Sequence, residues 1–301
     1  MRTLAVRHVT TYRYARPVAF GDHRMMLRPR DSHDLRLLTT NLIISPQPSA
    51  LRWLHDVFGN SVAVASFGAR AAELRIESDI RLEHFENTEP DCPIEAYAET
   101  YPFSYSFDEV PDLTRYIERH YPDPQHKVDL WAGGFLNPAG KTETMALLAA
   151  MTKSIKQQGF AYAARDAEGV QRPADTLNVR RGTCRDFAIL MIEAVRALGL
   201  AARFASGYLY APAADRSGSV GGSATHAWVQ VYLPGSGWME FDPTNGIVGN
   251  RDLIRVAVVR DPSQAVPIAG SWTGAPSDFL GMTVEVGVVS EQPQNVTAAA
   301  G

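Results

Sequence analysis

The sequence predicts an α+β protein in which an N-terminal β-sandwich precedes a core made of a helix packed on an antiparallel sheet. Three observations carry this. Several short segments of period two recur at regular spacing before residue 88, which is the pattern of a sandwich. One amphipathic helix, capped at both ends, begins at a cysteine near the middle of the chain. Three alternating, β-branched and aromatic segments then follow that helix directly.

Composition agrees with a folded chain. The 301 residues are 45% hydrophobic and 21% charged, and 23 Gly with 19 Pro is close to ordinary usage, so neither disorder nor low complexity describes the whole. With 29 Lys and Arg against 33 Asp and Glu the net charge is -4, and no basic excess offers to neutralise phosphates, so nucleic acid is not an expected partner. Apolar residues nowhere run unbroken for the roughly 18 positions that a membrane helix needs. The alternating start, MRTLAVRHVTTYRYARP, reads as a strand and not as a signal peptide. A cytoplasmic protein with reduced thiols and no membrane association is expected. Its two cysteines, Cys92 and Cys184, are too few for a disulfide framework.

Strands are expected at Thr3 to Tyr14, Arg24 to Leu27, Leu35 to Ile44, Leu51 to Phe58, Ser61 to Phe67 and Glu73 to Phe85. Gly59-Asn60 tolerates positive φ and makes Leu51 to Phe67 a hairpin. These fill a first domain over 1–88. A Pro- and aromatic-rich junction, 89–140, holds a short helical pattern around Asp112 to His120 and a Gly-Gly pair at 133 and 134. The core, with C-terminal strands, is expected over 141–289 and a flexible tail over 290–301. It opens with a helix from Thr142 or Lys141, striped by Met145, Leu148, Met151 and Ile155 and stopped at Gly159.

In GTCRDFAILMIEAVRALG the residues Phe187, Met191, Ala194, Val195 and Leu198 share one face, Thr183 is placed as N-cap and Gly199 lies just past the end. Cys184 therefore stands in the first turn, where unsatisfied N–H groups and the positive end of the dipole favour thiolate. Alone, such a cysteine is ordinarily a small buried hydrophobe. Its company changes the reading. Seven of the eight histidines precede residue 127; the eighth, His226, opens a strand 42 residues beyond Cys184. Sixteen residues further on, the next strand ends at Asp242, whose carboxylate can hold the imidazole from the adjacent strand. The three form a nucleophile, base and orienter series. Asp186, two residues from Cys184 on a helix, points away and is better explained as complementing the helix N-terminus.

GTCRDFA, THAWVQVYL and GWMEFDPTNG, in that order and spacing, resemble the catalytic core of the transglutaminase-like superfamily, whose papain-like fold carries a Cys-His-Asp triad. RHVTTYRYARPVAFGDHRMMLRPR and DVFGN resemble the β-rich N-terminal domain of its bacterial members. The resemblance implies Cys184 as nucleophile, His226 as general base and Asp242 as orienting acid. Close bacterial members often have glutamine after the cysteine; here Arg185 stands there, which bears on substrate preference. The Cys184 backbone N–H is one expected oxyanion donor. Tyr162, upstream of the cysteine, is the second, with packing between helix and sheet as its equal alternative. Trp228 and Arg185 are candidates for a substrate groove.

The activity this implies is acyl transfer from an amide carbonyl through a thioester, on a protein or peptide substrate. Water as acceptor gives a protease or amidase and an amine gives a transglutaminase. Hydrolysis is favoured because no D-x-[DN]-x-[DN]-G calcium loop is present, and no metal or cofactor is expected. Two other readings stay open: zinc held by Cys184, His226 and Asp242, and a non-catalytic peptide-binding module. The Gly-rich stretch Ser217 to Ser223, just before His226, is either a lip over the cysteine or a plain connector.

Overall fold

The computed structural model describes residues 1–85, 93–165, 169–211 and 225–291. Cys92, the stretch 217–223 and all of the expected tail beyond Glu291 lie outside them.

The N-terminal strands are β1 (Arg2–Phe20), β2 (His23–Met25), β3 (Leu35–Ser45), β4 (Ala50–His55), β5 (Ser61–Ser66) and β6 (Arg70–His84). β6 lies between β1 and β3 in one sheet, and β5 between β2 and β4 in another. Alternation along each strand delivers one apolar face: Leu74 and Ile76 of β6 meet Ala63 and Ala65 of β5, with Tyr14, Phe20 and Met25 closing the layer. The β4–β5 turn forms where Gly59 adopts φ +74°, the left-handed conformation that the sequence anticipates. Asn60 serves another purpose. It is buried, and its amide exchanges hydrogen bonds with Val258 N and O at 2.9 and 2.8 Å, which ties the hairpin to the core.

In the junction β7 (Thr100–Tyr101) pairs with β8 (Thr142–Glu143), and between them come α1 (Val110–Ile117) and α2 (Lys127–Gly133). α1 starts two residues earlier than the periodicity suggests because Pro111 suits a first helical turn. α2 was not expected, yet its Val128 and Ala132 are wholly buried in the core cluster. The junction is thus part of the core's wall.

α3 (Thr144–Gln157) begins after Glu143, whose carboxylate accepts from the N–H groups of Met145 and Ala146. That cap sets the start two residues beyond Thr142. β9 (Ala161–Tyr162), α4 (Pro173–Val179) and β10 (Arg181–Gly182) lead into α5 (Cys184–Ala197). Then β11 (Ala202–Leu209), β12 (His226–Leu233), β13 (Gly237–Asp242), β14 (Ile247–Val248) and β15 (Leu253–Val259) form one antiparallel sheet in the order β14-β13-β12-β11-β15. α5 lies on one face of this sheet, meeting Ala227, Val229, Val231 and Leu233 of β12. The other face meets the sandwich, where Tyr208, Ile254 and Val256 join Leu4, Val6, Ile80 and Leu82.

The C-terminal strands β16 (Ile268–Ala269), β17 (Trp272–Thr273) and β18 (Phe279–Glu291) correct the expected boundary at 289. β16 pairs with β2, and both β17 and β18 pair with β1. β18 runs antiparallel along β1 from Thr3↔Glu291 to Tyr14↔Phe279, so it belongs to the sandwich and not to the core. A period-two pattern says that a strand forms; it does not say which sheet has the free edge.

Glu193, fully buried on α5, accepts from Arg119 Nε at 3.0 Å, Arg196 Nη1 at 3.0 Å and the backbone N–H groups of His120 and Tyr121. It clamps the α1–α2 connection to α5. Glu193→Ala leaves the buried Arg196 without its counter-charge and should cost about 3–5 kcal/mol, read as a loss in the free energy of urea unfolding. Glu193→Gln, which keeps an acceptor, should cost less.

Candidate active site

α5 begins where a capping box forces it to. Asp186 N approaches Thr183 Oγ1 at 3.4 Å, while the Asp186 carboxylate accepts from Thr183 N at 2.8 Å. The same carboxylate takes Gln171 N at 2.6 Å and pairs with Arg165 at 3.0 Å. Asp186 is therefore spent on building the helix start, as its spacing from Cys184 suggests. Gly182 lets β10 come this close, since a Cβ there would lie 2.8 Å from that of Asp186. Cys184 is the first helical residue, and among the described residues its N–H has no hydrogen-bond partner.

Three elements converge on this point. The Cys184 thiol at the start of α5 lies against the imidazole of His226 at the start of β12, with the Ala227 N–H beside the sulfur. His226 Nε2 donates to Asp242 Oδ2, at the end of β13, over 2.8 Å. That leaves Nδ1, a buried nitrogen with no well-aligned partner, as the position for the thiol proton. Cys184 is 5% exposed, His226 1% and Asp242 0%, so water screens the three charges weakly.

Burial acts first on each group and opposes its charge; the partners outweigh it. Burial raises the Cys184 thiol, but contact with His226 and then the Ala227 N–H carry it below its ordinary value. Burial lowers the imidazole, but Asp242 and then Cys184 push it up to about 10. Burial raises the Asp242 carboxyl, but His226 and Asn245 hold it down. All three shifts run toward the charged forms: thiolate, imidazolium and carboxylate.

Asp242 is held by more than the histidine. Its Oδ1 accepts from Thr244 N at 2.9 Å and Asn245 N at 3.3 Å, and its Oδ2 accepts from Asn245 Nδ2 at 2.8 Å. The Asp242-Pro243-Thr244-Asn245 turn closes at Gly246, φ +70°, whose N–H reaches Asp242 O at 2.7 Å. Sequence reasoning named Asp242 and missed Asn245. An Asp followed two residues later by a free N–H is the signature of an Asx turn, and that signal was present.

Tyr162, on β9 opposite Gly182 of β10, brings its hydroxyl to the Cys184 sulfur. Burial, and next the charge of Cys184, raise its phenol above the usual range, so it stays a donor. Two expected groove residues lie elsewhere. Trp228 is 0% exposed; it stacks on the His226 ring with centroids 5.9 Å apart, and its indole N–H donates to Glu240. Gly207, paired with His226, leaves the room, because a Cβ there would come within 2.9 Å of the indole. Arg185 points to another part of the chain: its guanidinium donates to Pro262 O at 2.6 Å and Ala265 O at 3.3 Å and lies over Phe204. Trp228 braces the histidine from behind, and Arg185 anchors the segment after β15. Among the described residues no group of three or more His, Cys, Asp or Glu side chains is arranged to hold a metal ion.

Residues 4–83 match the model of the bacterial transglutaminase-like N-terminal region, and residues 136–243 that of the transglutaminase-like superfamily. An uncharacterized protein of Mycobacterium leprae is 26% identical over 95% of this chain and 99% of its own length. A protein-glutamine gamma-glutamyltransferase of Pseudomonas aeruginosa is 32% identical over a shorter span, 36% of this chain and 17% of its own. The crystal structure described as a "Putative Cysteine Protease" from Cytophaga hutchinsonii superposes with a TM-score of 0.68 at 19% identity, covering 97% of this chain and 92% of that one. That likeness shows the shared fold.

Proposed function

From the premise that the chain belongs to the transglutaminase-like superfamily, with the bacterial N-terminal region, we propose that it is a cysteine-dependent amide hydrolase acting on a protein or peptide. The observation that carries this reading is a buried thiol against an imidazole that a carboxylate holds at 2.8 Å.

The Cys184 thiolate attacks the amide carbonyl carbon, and the carbonyl π electrons move onto oxygen. The free Cys184 N–H and the Tyr162 hydroxyl are the donors for that oxyanion. As the tetrahedral species collapses, His226 gives its Nδ1 proton to the leaving nitrogen, the C–N bond breaks and a thioester remains. Water then loses a proton to His226 and adds to the thioester. Collapse expels the thiolate and releases a carboxylic acid. Asp242 holds the ring throughout and balances the imidazolium.

An amine in place of water gives transamidation, the reading favoured by the stretch shared with the Pseudomonas gamma-glutamyltransferase. Incubation with a peptide library, followed by mass spectrometry of Cys184, tests the shared step: a thioester adduct on Cys184 is expected. Release as free acid, in the presence of millimolar lysine, supports hydrolysis, and release as the amide supports transfer. An adduct-free Cys184 across the library would overturn both.

The charge state has its own test. The thiol pulled below its usual value and the imidazole raised to about 10 both run toward a thiolate–imidazolium pair, which is the form expected to react at neutral pH. Iodoacetamide should therefore alkylate Cys184 at a rate nearly flat between pH 6 and 8. An ordinary thiol gains about tenfold per pH unit over that range. A tenfold slope for Cys184 would mean that the pair is neutral. Cys184→Ala removes the negative partner, so the His226 resonance should titrate at a lower pH by NMR.

A further inference from the structure

We propose that the open side of the N-terminal sandwich, between β3 and β4, binds an extended acidic peptide segment. A cavity of about 430 Å³ opens there, and its lining includes Arg28, Arg30, Asp31, Leu37, Trp53 and Leu54.

Three features of the cavity define its ligand. The first is backbone. β4 is the edge strand of its sheet and β3 the edge strand of the other, and among the described residues β4 pairs only with β5. Its outward N–H and C=O groups are a template for one more strand, which an extended chain supplies and a small anion or a folded surface does not. β4 is exposed at five of its six residues and carries no proline, with Arg52 its one residue of fixed charge.

The second is charge. Among the described residues neither Arg28 nor Arg30 meets a carboxylate; Arg28 lies over the Trp53 ring, 5.7 Å from its centroid, and Arg30 rests against Gly59. Asp31 also lines the cavity, with its Oδ1 accepting from the Leu37 N–H, and forms no ion pair with either arginine, so two guanidinium groups face one carboxylate there. Two unpaired guanidinium groups in a chain of net charge -4 mark a local site for carboxylates. The third is apolar. Trp53 is 45% exposed on an edge strand, with Leu37 and Leu54 nearby, so the ligand carries an apolar side chain between its acidic ones. Alternation of acidic and apolar residues is what a strand pairing with β4 presents to one face and the other.

The test uses the full chain with Cys184→Ala, so that no turnover consumes the probe. The probe is a fluorescein-labelled octapeptide alternating glutamate with valine and carrying one phenylalanine, together with its glutamine counterpart, followed by anisotropy. The acidic peptide should bind at least tenfold more tightly than the glutamine one, and less tightly as salt rises. Arg28→Ala with Arg30→Ala should remove most of that preference, and Trp53→Ala should weaken both peptides. Amide exchange should slow at 50–55 when the acidic peptide is present. In the wild-type background these three substitutions should leave the alkylation rate of Cys184 unchanged, which separates the groove from the catalytic reading. Equal affinity for the two peptides, or an acidic preference that survives the double arginine substitution with the melting temperature unchanged, would overturn the proposal. So would binding to phosphatidylserine vesicles without binding to the peptide, which would assign the arginines to a membrane surface.

Discussion

Cys184→Ala should fold as the wild type does and lose turnover by a factor of about 10⁴ or more, since removing a triad nucleophile leaves only binding and the oxyanion donors. The fold should survive because nothing that shapes the start of α5 depends on sulfur. The capping box runs between Thr183 and Asp186, and Gly182 provides the clearance. The helix is held by Phe187, Ile189, Leu190 and Met191, all buried. Deleting one sulfur from a packed site costs roughly 1 kcal/mol, far less than the loss in rate. Cys184→Ser should lose nearly as much turnover, because a hydroxyl does not ionise beside His226 as a thiol does. Measurement on any substrate identified by acyl-enzyme trapping decides the matter. Retention of a tenth of the wild-type kcat by either variant, at equal melting temperature, would remove Cys184 from the role of nucleophile.

The convergence of Cys184, His226 and Asp242 was legible because each sits at an element terminus that leaves a local mark. Thr183 and Gly199 bracket a helix, a lone histidine opens a strand, and Asp-Pro closes one. Local marks also fixed the hairpin at Gly59. What the sequence did not disclose is relational. β18 reads equally well as a core strand or as a partner of β1, and only the sheet with a vacant edge of matching length decides. Trp228 looks the same in a strand whether it faces a groove or braces a histidine. Its position follows from Gly207 on the neighbouring strand, 21 residues earlier in the chain (228 minus 207). Arg185 was misread for a similar reason: its partners, the carbonyls of Pro262 and Ala265, are nearly eighty residues distant.

A separate chain of long-range contacts joins the sandwich to the site. Asp34, before β3, meets the Arg255 guanidinium at 3.2 and 3.3 Å; Arg255 reaches Glu240 at 2.6 Å; and Glu240 takes the indole N–H of Trp228, which stacks on His226. The N-terminal strands supply none of Cys184, His226 and Asp242, yet Asp34 beside them pairs with Arg255 in the packing behind the imidazole. A functional site whose ring must be fixed within a fraction of an ångström gains from such backing.

Asp242→Asn should cost roughly 10²–10⁴ in kcat, more than the loss of one orienting contact suggests. Asp242 accepts from both sides. Oδ2 receives His226 Nε2 and Asn245 Nδ2, while Oδ1 receives the Thr244 and Asn245 N–H groups. An asparagine has one oxygen for these four donors. If that oxygen faces the backbone, the amide N–H₂ meets Nε2 and forces the proton onto Nδ1, so the ring can no longer take a proton from the thiol. If it faces His226, the N–H₂ opposes two backbone donors and the Asp242 turn must open. Either way the negative charge that most strongly raises the imidazole is gone, and the His226 pKa should fall from about 10. The loss should therefore appear in kcat and in the alkylation rate of Cys184 at neutral pH, with alkylation regaining the steep pH slope of an ordinary thiol. Asp186→Asn supplies the contrast: its carboxylate also takes several donors, but they build the helix start, so it should lower the melting temperature and leave the flat alkylation profile in place. The reverse pattern, a flat profile in Asp242→Asn and a steep one in Asp186→Asn, would transfer the role of the acid to Asp186.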